Sequence, residues 1–87
     1  MLKTEPALYE VMGRQNNHLW LEVLEGGDQG IRVSVPVHHA EYETELQEQI
    51  LDLSVGDVGR FVLESESEGR PDWRIYDIKN RKNSVPA

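Results

Sequence analysis

The chain has 87 residues, 38% of them hydrophobic, and no cysteine, which confines it to one small domain without disulfides or a thiolate zinc centre. Sixteen acidic against nine basic residues give a formal charge of −7, a field that repels a polyanion and argues against generic DNA binding. No apolar stretch approaches the ~20 residues of a membrane span, so the expectation is a soluble, cytoplasmic protein.

Ala7, Tyr9 and Val11 share one parity with Glu10 on the other, which predicts a strand over 7–13 that starts after Pro6. A polar loop, 13–17, leads to a second strand over 18–25, where Leu19, Leu21 and Val23 alternate with Trp20, Glu22 and Leu24. Three glycines and an aspartate in 25–30 suit a tight antiparallel connection. Ile31, Val33, Val35 and Val37 then alternate with Arg32, Ser34, Pro36 and His38, the clearest period-two pattern in the chain. Pro36 cannot donate to a ladder, so it belongs where that strand has no neighbour on its amide side.

The period changes over 41–53, where Tyr42, Leu46, Ile50 and Leu53 fall on one helical face. Glu41, Glu43 and Glu45 suit the positive end of the helix dipole, and Gly56 supplies a left-handed exit. A fourth strand is expected over 58–65, with Phe61 and Leu63 on one parity and Val58 and Val62 on the other. The polar segment 65–72 reads as an exposed loop. A fifth strand follows over 73–79, where Ile75 and Ile78 break strict alternation and predict a bulge. The domain is expected to occupy 1–79, with a flexible basic tail over 80–87.

Three strands, a helix and two strands, together with the phrase LSVGDVGRFVL at 53–63, resemble an OB-fold. That resemblance implies a mainly β, five-stranded Greek-key barrel with its one helix between the third and fourth strands and plugging one end. An SH3-like barrel and a small α+β sheet are the alternatives. Barrel closure would remove exposed strand edges.

The charge is uneven. Residues 1–69 carry fourteen acids and four bases, whereas 70–87 carry five bases, Arg70, Arg74, Lys79, Arg81 and Lys82, against Asp72 and Asp77. This is either a local anion-binding strip or a solvated tail that complements the acidic body. With only three lysines among the nine bases, the composition resembles the acidic, lysine-poor proteins of salt-adapted archaea. The resemblance implies folding that depends on salt, because screening relieves carboxylate repulsion.

OB barrels commonly bind oligonucleotides or oligosaccharides on the second and third strands, but a fold does not confer a role. If Leu19, Leu21 and Val23 point inward, Trp20, Arg32 and Ser34 point outward, where an indole stacks a base and a guanidinium meets a phosphate. Trp20 equally suits a cover over other elements. Trp73, Arg74 and Tyr76 form a second aromatic and basic group, with Lys79, Arg81 and Lys82 as phosphate contacts; the competing reading has Trp73 close the barrel. His38 and His39 with Glu41 and Glu43 offer metal-ligand types, but adjacent strand residues point to opposite faces. Isolated serines and the GGDQG at 26–30, which no helix or lysine follows, offer no nucleophile elbow or phosphate cradle. The expectation is a non-enzymatic binding or accessory module without metal or cofactor. Its partner is a single-stranded nucleic acid or a protein that meets the acidic surface.

Overall fold

The structure, a computed structural model, describes residues 2–66 and 72–82. The elements are β1 (Leu2–Lys3), β2 (Ala7–Gln15), β3 (His18–Val23), β4 (Arg32–Pro36), α1 (Thr44–Leu51), β5 (Val58–Ser65) and β6 (Arg74–Lys82). All six strands belong to one antiparallel sheet. Along it β4 pairs with β3, β3 with β2 and β2 with β5. β6 also pairs with β5, and β1 pairs with the far end of the same strand. No ladder joins β4 to β6 among the described residues, so the sheet is not closed.

The period-two segments bury the faces their patterning requires, except Ile31, which precedes β4 and is 51% exposed. Leu19, Leu21, Val23, Val35 and Val37 are buried in one core with Tyr9, Val11, Phe61, Leu63 and Ile75. Tyr9 and Phe61 stack within it, centroids 5.9 Å apart and planes 9° from parallel. The β2–β3 connection is tighter than the expected loop: β2 runs to Gln15, and Asn16 and Asn17 turn the chain with φ of 51° and 63°. Two consecutive positive-φ residues are the signature of a two-residue hairpin turn, where asparagine is favoured. A register shift between Val11 and Gly13 puts Gly13 opposite Trp20, and a Cβ there would lie 3.7 Å from the indole.

Several boundaries differ from expectation. β1 is additional: Thr4 N–H donates to the Leu63 carbonyl, and its hydroxyl accepts from Leu63 N–H, before Pro6 lets the chain re-enter the ladder as β2. The helix is shorter than 41–53. Tyr42 and Leu53 lie outside it, yet both are buried together with Ile50. Only Glu45 lies in its first turn, Glu43 being the N-cap residue. Gly56 has φ of 96°, but it serves the turn into β5, while the helix ends at Asp52 in right-handed geometry. β6 runs to Lys82 because Val58, Gly59 and Arg60 pair with Lys82, Arg81 and Asn80, so the segment expected as a tail begins as strand. Its register shifts twice, which lets Ile75 and Ile78 both face the core across three positions. Residues 83–87 of the expected tail lie outside the described residues.

Among the described residues no helix is long and apolar enough to cross a membrane.

Candidate functional site

The parity of β4 defines the site. Val23 N–H donates to the Ile31 carbonyl and Val37 N–H to the Asn17 carbonyl, both at 2.8 Å, so the odd-numbered residues of β4 bond to β3. The backbone groups of Arg32, Ser34 and Pro36 therefore point away from β3. Pro36, which has no N–H, sits with its nitrogen on that free side, as its chemistry demands.

Because each neighbouring pair is antiparallel, β4 and β6 run in the same direction, and they approach one another without a ladder. Tyr42 spans the gap. Its hydroxyl donates to the Pro36 carbonyl at 2.8 Å and accepts from Ile75 N–H at 3.3 Å. One side chain thus supplies the only described link of its kind between the two edges. Burial pushes the Tyr42 phenol up to about 12, opposed by the Ile75 amide. Gln47, from α1, donates to the Val37 carbonyl at 2.6 Å and holds the end of β4 against the helix.

Beside this bridge the seam opens into a cleft of about 870 Å³. Arg32 and Ser34 of β4 form one wall, Trp73 and Arg74 another, and the exposed His39, Glu41 and Asp72 the rim. Both arginines are matched from within the chain. Arg32 Nε lies 2.9 Å from Glu22, its cross-strand neighbour on the outer face. Arg74 is only 6% exposed; it pairs with Glu64, directly opposite it on β5, at 2.9 Å, and with Glu66 at 3.3 Å. Glu41 and Asp72 make no ion pair among the described residues. The cleft is anionic at its rim although two arginines line it.

The eight residues predicted as a nucleic-acid surface are divided by the fold. Arg32, Trp73 and Arg74 meet in the cleft. Trp20, 45% exposed, lies on the adjoining outer face between Gly13 and Arg32. Tyr76 is elsewhere: it lines an acidic groove of about 510 Å³ between α1 and β6, and Lys3 Nζ stands 3.7 Å from its ring centroid. Lys79 pairs with Asp77 at 3.0 Å. The side chains of Arg81 and Lys82 lie outside the described residues. Trp73 packs partly against the core.

His38 and His39 diverge. His38 Nδ1 donates to Asn17 Oδ1 at 2.8 Å, whereas His39 Nδ1 accepts from Glu41 N–H at 3.0 Å and its ring tilts against Tyr42. No three metal-ligand side chains gather among the described residues.

The bridging role of Tyr42 is the feature that sequence reasoning passed over, whereas the free side of β4, which Ser34 shares, was expected. Pro36 within an otherwise regular strand was the signal for that side. Compared with known proteins, the chain matches no family model, and no curated protein or solved structure gives a significant match.

Proposed function

We propose that the chain is a non-enzymatic binding module on an OB-like Greek-key arrangement, whose seam cleft receives a cationic segment of a partner protein. The observation that carries this reading is the charge layout of the cleft. Arg32 and Arg74 are already matched by Glu22, Glu64 and Glu66, whereas the rim carboxylates Glu41 and Asp72 have no described counter-charge. The total charge of −7 adds a long-range attraction for a basic partner. Support for the Greek-key reading is the path β4-β3-β2-β5-β6 with α1 between β4 and β5, and the approach of the two free edges. The setting we propose is a salt-adapted cytoplasm, supported by the acidic, lysine-poor composition.

A second reading, weak binding of single-stranded nucleic acid, is favoured by the exposed Trp20 beside Arg32. Stacking one base gains ~1–3 kcal/mol, but Arg32 is shared with Glu22. Tryptophan fluorescence titrations with a blocked seven-residue peptide of alternating lysine and valine, and with a ten-residue oligothymidylate, separate the two. The peptide is expected to bind and to weaken as KCl rises. Binding of the oligothymidylate alone would overturn the protein-partner reading.

A further inference from the structure

The free side of β4 offers more than charge. Arg32 and Ser34 each direct an N–H and a carbonyl away from β3 and toward the cleft, and no described group bonds to them. An exposed strand edge is a template for one further strand unless it is blocked. Among the described residues the block is at one end only. Pro36 has no donor and its carbonyl is occupied by Tyr42, so pairing past Ser34 has nothing to bond to.

We infer that the partner segment adds as a short strand along Arg32 to Ser34, its backbone completing the ladder that β4 lacks on this side. The inference rests on the reading of the cleft as the site for a cationic segment. It assigns the two kinds of recognition to different atoms: the edge amides and carbonyls hold the backbone, and Glu41 and Asp72 select for positive side chains. An extended segment presents alternate side chains to opposite faces, so basic residues at every second position gather the positive charge of the segment on one face. A second copy of the chain is a poor occupant because it carries the same negative charge to the same place.

The alternating lysine–valine peptide tests this together with two N-methylated versions, one blocked at the valine amides and the other at the lysine amides. A strand uses the amides of one parity toward one edge, so one version is expected to bind roughly tenfold or more weaker than the other, the effect of about one to two lost hydrogen bonds. Ser34→Pro removes an amide that the β3–β4 ladder does not use, and is expected to weaken the unmodified peptide to a similar degree while the melting temperature stays close to that of the parent. Equal affinities for both methylated peptides would overturn strand addition and leave the cationic-partner reading standing. Failure of all three peptides to bind at 50 mM KCl, roughly a 14 Å screening length, would overturn both.

Discussion

The Tyr42 hydroxyl donates to the Pro36 carbonyl across 2.8 Å, and through the same oxygen it accepts the Ile75 amide. A loop residue therefore stands in for a ladder hydrogen bond between two parallel strands that do not reach one another. Tyr42 is 8% exposed, so its bonds are made where water does not compete freely.

Tyr42→Phe keeps the ring and removes both bonds. The Ile75 amide is left unsatisfied inside the protein, and the expected loss of stability is ~1–3 kcal/mol by urea denaturation. Hydrogen exchange at Ile75 is expected to accelerate more than at Val62 or Leu21. Uniform acceleration over the whole sheet would mean that the hydroxyl does not hold the seam.

The same residue governs alkaline stability. Its phenol is pushed up to about 12, chiefly by burial, whereas in the unfolded chain it titrates near 10. The folded state thus retains a proton that the unfolded state has lost. Stability is whole below pH 10 and falls between 10 and 12. Tyr9 is shifted in the same direction by burial, so Tyr42→Phe is expected to shallow that decline without abolishing it. Urea midpoints measured across pH 8.5 to 11.5 decide the matter.

Arg74 and Glu64 form the buried ion pair of the sheet, with side chains only 8% and 11% exposed. Removing one member leaves the other charged and uncompensated, at a cost of ~3–5 kcal/mol, while replacing both with apolar residues costs far less. Arg74→Met is accordingly expected to destabilise strongly and the double variant Arg74→Met, Glu64→Leu to recover much of the loss. If Arg74→Met is as stable as the parent, the guanidinium is not held by this pairing and is free to meet a ligand.

Salt is expected to stabilise the fold. At 1 M the screening length falls to ~3 Å, which mutes repulsion among sixteen carboxylates and costs little at the shielded Arg74 pair. Thermal melts in 0.1 M and 2 M KCl should show a higher midpoint in the concentrated salt. An unchanged midpoint would remove the support for a salt-adapted setting.

The strands with one buried face were legible because each residue's side is dictated by its immediate neighbours. Val33, Val35 and Val37 alternate with Arg32, Ser34 and Pro36, and the structure buries the odd set more deeply. β1 was not legible, since two residues carry no period. The end of β6 was missed for a related reason: polar Asn80, Arg81 and Lys82 are strand because Val58, Gly59 and Arg60 lie beside them. Within the candidate site, the outward direction of Trp20 and Arg32 could be read from parity. The pairing of Arg74 with Glu64 could not.

By itself the sequence determined the alternating core faces, the free side of β4 marked by Pro36, the single helical stretch and the excess of carboxylates, all of which are local patterns or composition. Only the tertiary structure decided that Tyr42 reaches Ile75, 33 positions away, and that Arg74 lies opposite Glu64 rather than facing solvent. Those outcomes depend on how bulges shift the register of β6 against β5 and on how near β4 and β6 approach, and neither is written in a local pattern of residues.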